Sequence, residues 1–258
     1  MTALVEIRAL LRPIRRALKF DPDRFLRQVS GVIHVGANTG QERDLYEDYG
    51  LSVLWVEPIP EVFSQLKANI KGFKDQRALQ ALVAEVDGKE YEFHIANNDG
   101  ESSSIFNFKH HKDIWPDVDF TATITLNSVT LASLLEKEGI DPAKYQALIL
   151  DTQGSEMLVL LGSRPVLGYF EFIKLEVADF ESYQGCCQLP AVNDFMKENG
   201  YREFSRNKFA SRAEGGSYFD IVYRKRGKRP RKISGRGAGR RFPSSTANSD
   251  VEGTVSWR

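Results

Sequence analysis

Residues 31–40 read GVIHVGANTG. Apolar, β-branched residues run up to Gly36, and a second glycine, Gly40, follows four positions later. A short buried strand that ends in a glycine-bracketed turn opens an α/β unit. The turn lets backbone approach a ligand, and the N–H groups at the next helix start can meet a polar or anionic group. Its Gly-x-x-x-Gly spacing is not the Gly-x-Gly-x-x-Gly of dinucleotide sites. It also lacks the Lys-Ser/Thr ending of a phosphate-gripping loop.

The rest of the chain repeats the rhythm. Leu51–Glu57 (LSVLWVE) is a second buried strand, with a helix over Gln41–Tyr49 before it. Pro60–Lys71 is a helix with Val62, Phe63, Leu66 and Ile70 on one face. Leu79–Ala84 is expected as the third strand, and Glu90–Ala96 alternates after an Asp87-Gly88 turn. Asn97–Asp119 has no period and is expected as a long loop. Thr121–Leu126 follows as a strand, and Thr130–Lys137 as a helix capped by Thr130. Ala147–Asp151 and Phe170–Val177 are strands, with helices over Ser155–Leu161, capped by Ser155, and Leu189–Asn199. Tyr201–Ser205 and Tyr218–Tyr223 close the pattern. Alternating strands and helices predict a mostly parallel sheet covered on both faces.

In such sheets ligands bind at the carboxyl ends of the strands. Glu57 ends the second strand, 17 residues after Gly40. An acid there can accept both ribose hydroxyls of a nucleoside-bearing cofactor. Asp151 ends a later strand, in LDTQGSE, and Glu176 ends the next. Either carboxylate can hold a substrate, hold a cofactor amine, or take a proton. His110 and His111 lie in the long loop, a lid over such a site. His34, inside the first strand, reads as a core residue, and His94 faces solvent or a neighbour. No cluster of His, Cys and carboxylates has metal-ligand spacing, so no metal is expected.

Composition narrows the classes. The 258 residues are 41% hydrophobic and 27% charged, which fits a globular chain with a sizeable core. The two cysteines, Cys186 and Cys187, are adjacent, which excludes a disulfide framework; the cytoplasm is the expected compartment. Net charge is zero, but ten Lys or Arg and no acid stand between Arg224 and Arg241. An acidic body therefore carries a basic tail over 224–258. That tail is expected to be disordered, either simply solvated or touching nucleic acid or anionic lipid. Residues 1–30 are expected to form a helical preface to a domain over 31–223. Leu4, Ile7, Leu11, Ile14 and Leu18 make one face of its first helix, which packs on the body or lies on a membrane surface.

Taken together, VIHVGANTGQE at 32–42, Glu57-Pro58, Ser102-Ser103-Ser104, LDTQGSE at 150–156 and Leu175-Glu176 resemble the FkbM family of S-adenosylmethionine-dependent methyltransferases. The resemblance spans roughly residues 30 to 223. It implies a class I methyltransferase fold, Rossmann-like, with seven strands and the last antiparallel. It also implies O-methylation of a sugar, a glycan or another small molecule. Gly36, Ala37, Asn38 and Gly40 would surround the methionine part of the cofactor, and Glu57 would hold its ribose. Val83 and Ala84 would lie near the adenine, and Asp151 and Gln153 beside the methyl. For the proton, the candidates are Asp151, Glu176, His110 and His111, with His111 the preferred histidine. The chain departs from the family at Asn127, where an acid is usual, and at Leu148–Leu150, where a lysine often stands. Rival readings are a nucleic-acid methyltransferase tethered by the basic tail, and a silent cofactor-binding scaffold. A nicotinamide oxidoreductase is disfavoured, because no Tyr-x-x-x-Lys pair occurs.

Overall fold

A computed structural model describes residues 21–227. The helix expected over the first 20 residues, and the basic stretch beyond 227, lie outside the described residues.

Seven strands form the main sheet. They are β1 (Gly31–Val35), β2 (Ser52–Glu57), β3 (Gln76–Gln80), β7 (Ala147–Leu150), β8 (Phe172–Ala178), β9 (Tyr201–Ser211) and β10 (Ser217–Lys225). Their order is β3-β2-β1-β7-β8-β10-β9. Every pairing from β3 to β8 is parallel, and β10 runs antiparallel to both β8 and β9. This is the class I methyltransferase arrangement, with the last strand reversed between the fifth and sixth.

The strand sequences explain the burial. All five residues of β1 and all four of β7 are buried, as central parallel strands covered on both faces must be. Ile33, Val35, Leu148 and Leu150 face one apolar layer, and Val32, Ala147 and Ile149 face the other. The first layer is completed by α3 (Leu131–Lys137), α4 (Glu156–Gly162) and α5 (Leu189–Glu198). The second is completed by a 3₁₀ turn at Arg24–Gln28, α1 (Arg43–Asp48) and α2 (Pro60–Asn69). Phe25 and Leu26 of that turn are fully buried, so the residues just before β1 belong to the core.

A second sheet is inserted between β3 and β7. It contains β4 (Leu82–Val83), β6 (Phe120–Val129) and β5 (Glu90–Ala96), in that order. The single strand expected over 79–84 is therefore divided. The β2–β3 ladder ends where Ala81 N–H reaches Glu57 O at 3.3 Å, and Leu82 and Val83 then pair with Ser128 and Val129. Val83 and Ala84 thus lie past the third strand, not at its end.

Two other expectations change. Thr130 does cap α3, accepting Ser133 N–H at 3.1 Å, but Ser155 does not cap α4. Its hydroxyl donates back to Thr152 O at 3.0 Å. The Glu156 carboxylate ties down the turn before the helix, accepting the N–H groups of Thr152 at 2.8 Å and Gly154 at 3.1 Å. At the other end, β10 continues to Lys225, and Arg224 Nε donates to Glu171 at 2.9 Å. Arg224 and Lys225 are strand residues rather than the start of a tail. Among the described residues, no helix is long and apolar enough to cross a membrane.

Candidate active site

A cavity of about 620 Å³ opens at the carboxyl ends of β1, β2, β7 and β8. That volume lies within the usual range of ligand pockets, about 300–1,000 Å³.

Its floor is the turn after β1. Gly36 and Ala37 both donate to Val56 O, at 3.0 and 3.1 Å. Gly36 has φ +81°, and a Cβ there would sit 1.8 Å from Asp151 O. The glycine is therefore required by the close passage of β1 and β7 as well as by backbone shape. Asn38 takes φ +44°, and its N–H donates to Glu57 Oε2 at 2.9 Å. Glu57 Oε1 accepts Ile59 N–H at 3.0 Å. Each carboxylate oxygen thus has one protein donor and free lone pairs. Burial is the main cause lifting the Glu57 carboxyl to about 7.

The opposite wall is the turn after β7. Gln153, at φ +51°, donates Nε2–H to Asp151 Oδ1 at 2.7 Å and accepts Tyr183 O–H at 2.7 Å. Burial, with the nearby charge of Glu156, raises Asp151 to about 7. Glu176 is pushed well above the usual carboxylate range, first by burial and then by Asp151 and Glu156. The charged side chains lining the cavity are Glu42, Glu57, Glu101, Asp151 and Glu176; among the described residues, no lysine or arginine joins them.

The long loop forms the roof, and it is tied down. Ser104 exchanges backbone hydrogen bonds with His94 and donates its hydroxyl to Gln153 O at 2.7 Å. Ser103 Oγ accepts Ala96 N–H at 3.0 Å, and Ser102 Oγ accepts Asn98 Nδ2–H at 3.0 Å. These serines hold the roof in place. The histidine pair divides. His110 is on the surface, beside Asp113 and Arg212. His111 is 1% exposed, lines the cavity, and lies among Phe108, Trp115 and Tyr183 at 4.7, 4.7 and 5.2 Å. Its Nδ1 has no hydrogen-bond partner among the described residues. Burial and Lys112 lower it to about 4, so it is neutral at pH 7.

Of the residues expected here, the cavity wall includes Gly36, Ala37, Asn38, Glu57, Val83, Asp151, Gln153, Glu176 and His111. Gly40 and Ala84 are not in it. Gly40 turns the chain at φ +74° against Leu66, and Ala84 O abuts Gly162 of α4. Sequence reading missed Gln41, Ile59, Trp115, Val118 and Phe209, which also line it. Gln41 stands inside the VIHVGANTGQE run but has no assigned role, and the other four lie outside every motif. The fit to S-adenosylmethionine rests on the donor set. Glu57 has free acceptor lone pairs for two hydroxyls, and the acidic walls suit a cationic group. The family departures lie elsewhere. Asn127 is exposed on β6 opposite Glu90, and Leu148–Leu150 are core.

The family model described as the methyltransferase FkbM domain matches residues 34–203. No curated protein matches the chain. Among solved structures it is similar to the magnesium protoporphyrin IX methyltransferase of Synechocystis PCC 6803 with bound S-adenosylmethionine. That likeness has 9% identity and a TM-score of 0.43, over 76% of this chain and 69% of that one. A putative tRNA (m1A22) methyltransferase of Streptococcus pneumoniae, in complex with the same cofactor, gives 10% identity and a TM-score of 0.47, over 81% and 73%. The 1,6-didemethyltoxoflavin-N1-methyltransferase of Burkholderia thailandensis gives 11% and 0.42, over 87% and 91%. The family match runs from inside β1 into β9 and so takes in every strand end that faces the cavity: the chain belongs to the FkbM family of S-adenosylmethionine-dependent methyltransferases.

Proposed function

We propose that this methyltransferase acts on a hydroxyl oxygen of a sugar, glycan or other small-molecule acceptor. The observation that carries the proposal is Asp151 in the cavity wall, raised to about 7 and oriented by Gln153. A hydroxyl needs a base as it attacks, and a carboxylate near pH 7 is matched to that task. When bound, S-adenosylmethionine supplies an activated sulfonium methyl.

The chain's own residues do the rest. Glu57 holds the ribose end, and the tight turn at Gly36–Asn38 lets backbone come close to the methionine end, with Val83 toward the base. Gly40 and Ala84 act behind this wall, through packing. Asp151 would take the proton that the acceptor hydroxyl gives up when its oxygen receives the methyl. Glu176 lies in the same wall, its carboxyl pushed well above the usual range by burial and by Asp151. His111 stays uncharged and orients the acceptor. Alignment of acceptor and methyl supplies much of the acceleration. The acidic lining disfavours a nucleic-acid acceptor, whose phosphates need cations. A cytoplasmic enzyme with access to anionic lipid through its basic ends fits the sequence.

Incubation with methyl-labelled S-adenosylmethionine and a panel of methyl glycosides and polyols tests the reading. A labelled methyl ether, lost in Asp151→Asn, is the expected product. An N- or C-methyl product from a mixed panel would overturn it.

A further inference from the structure

Behind the site lies a second, smaller cavity of about 100 Å³. His34, Glu42, Asp151 and Glu176 line both, so four titratable side chains form the partition between them. Asp23, Lys174 and Asp220 line the rear cavity only. Their placement follows from the strands. Lys174 and Glu176 stand two apart on β8 and so share a face, and Asp220 on β10 is the register partner of Glu176. Lys174 is the one lysine or arginine in either lining among the described residues. Its ammonium donates to Asp23 Oδ1 at 2.9 Å, and only 20% of its side chain is exposed. Burial acts to discharge such an amine, but Asp23, Asp220 and Glu42 outweigh it and hold the ammonium above its ordinary range. The reaction described above uses neither member of this ion pair.

A positive charge favours the ionised form of a nearby acid, and a negative one favours its neutral form. Most charged groups around Asp151 oppose its ionisation. Glu156, at the start of α4, does so from one side, and Glu42 and Asp220 do so from across the partition. Glu176 shares that partition and is itself pushed up. His34, on β1, is kept uncharged by burial and shares a hydrogen bond with Tyr46 Oη at 3.1 Å. Glu42 and Asp220 are also the acids that Lys174 draws, besides Asp23. The ammonium therefore offsets the charges that work against Asp151. We propose that Lys174 is a positioning residue for methyl transfer: through the rear cavity its ammonium, restrained by Asp23, fixes how readily Asp151 carries charge beside the sulfonium. This rests on the reading that puts Asp151 next to the methyl, and it names the group that governs that acid. One charge about 10 Å away, at the effective dielectric of a protein interior, moves an acid by on the order of one pH unit.

The test is calorimetric titration of full-length protein with S-adenosylmethionine and with S-adenosylhomocysteine, from about pH 5.5 to 8.5. Both ligands carry the ribose, so Glu57 acts on both alike, and the ratio of their affinities reads the sulfonium charge. Comparison with the parent cancels the ligands' own ionisation. The preference for S-adenosylmethionine is expected to rise with pH and to level off once Asp151 is ionised. Lys174→Met is expected to move that plateau up by about one pH unit. Asp23→Asn, which frees the ammonium toward the cavity, is expected to move it down, and Lys174→Arg to leave it in place. Glu203→Gln, outside both cavities, is the control. Lost packing has no reason to move the plateau in opposite directions for the two members of one ion pair. Removing one member of a buried pair also weakens the fold; where Lys174→Met does not fold, the direction in Asp23→Asn decides. No shift in the folded variants, shifts of the same sign, or an equal shift in Glu203→Gln overturns the proposal. A parent whose preference is flat across pH overturns the placement of Asp151 beside the methyl, which is a separate result.

Discussion

Glu57 Oε2 accepts the backbone N–H of Asn38 at 2.9 Å, so the acid at the end of β2 fixes the turn at the end of β1. The same carboxylate accepts Ile59 N–H through its other oxygen. Its position is therefore set before any cofactor arrives, and each oxygen keeps a free lone pair. Such preorganisation avoids an ordering cost on binding. Glu57→Gln keeps the size but removes the charge. It is expected to weaken S-adenosylmethionine by about 1–3 kcal/mol, the scale of hydrogen bonds to a charged group. Calorimetric titration reads this directly, and unchanged affinity in a folded variant rejects the ribose role.

The raised acids give the free protein a pH signature. In the folded state Glu57 and Asp151 titrate near 7, well above ordinary unfolded carboxyls. A group whose folded pKa is raised stabilises the fold at low pH and loses that contribution as pH climbs through the folded value. His34 and His111 act oppositely. Burial lowers both, so their contribution is lost as pH falls below the unfolded imidazole value. Stability of the free protein is expected to fall between about pH 6 and pH 8, as Glu57 and Asp151 ionise against their burial. The paired change Glu57→Gln and Asp151→Asn should flatten the alkaline side. Melting temperatures across that range, with and without the two substitutions, decide it.

How much of this was legible in the sequence depends on how local each signal is. The run to Gly36, the acid at Glu57 and the LDTQGSE turn are contiguous, and they place three strand ends correctly. The division at Ala81 was not legible, because the partners of Leu82 and Val83 are Ser128 and Val129, far along the chain. Ser155 looked like a cap by type, but its backbone is already turned at φ −95°, ψ 11°, and its hydroxyl is spent on Thr152 O at 3.0 Å. Trp115 and Phe209 carried no pattern at all. They meet at the cavity only because the roof segment and the β9–β10 pair close over the same strand ends. His110 and His111 were indistinguishable as a pair; packing against Phe108 and Tyr183 separates them.

Gly162 separates packing from ligand contact. A Cβ there would stand 2.1 Å from Ala84 O, so α4 approaches the chain after β4 as closely as backbone allows. Gly162→Ala is expected to destabilise by about 2–4 kcal/mol, as overpacking against backbone must shift a helix. Cofactor affinity, measured on the protein that remains folded, is expected to stay within about twofold, since neither residue lines the cavity. Chemical denaturation and titration together check both halves.

His111 is buried with an unpartnered Nδ1, which costs the free protein stability. Replacing it with Phe keeps a flat ring against Phe108, Trp115 and Tyr183 and removes the orphan atom. The melting temperature of His111→Phe is expected to equal or exceed that of the parent, while acceptor KM rises and cofactor affinity holds. A residue that serves packing alone predicts no change in KM, so the two readings part on that measurement.

Gln153 is the hinge between Asp151 and Tyr183. Its Nε2–H donates to Asp151 at 2.7 Å, which favours the ionised acid, and Tyr183 O–H holds its other end at 2.7 Å. Tyr183→Phe releases the carboxamide without touching Asp151 itself. The Gln153–Asp151 hydrogen bond then loosens, the charged form loses support, and the Asp151 carboxyl moves further up. The pH at which methyl transfer reaches half its maximum, on the acid side, is therefore expected to rise in Tyr183→Phe, and to rise more in Gln153→Leu. Both variants keep the carboxylate, so each recovers activity at higher pH. A loss that is uniform across pH would show that the pair serves only to shape the turn. A shift toward lower pH would contradict the hydrogen-bond direction drawn here.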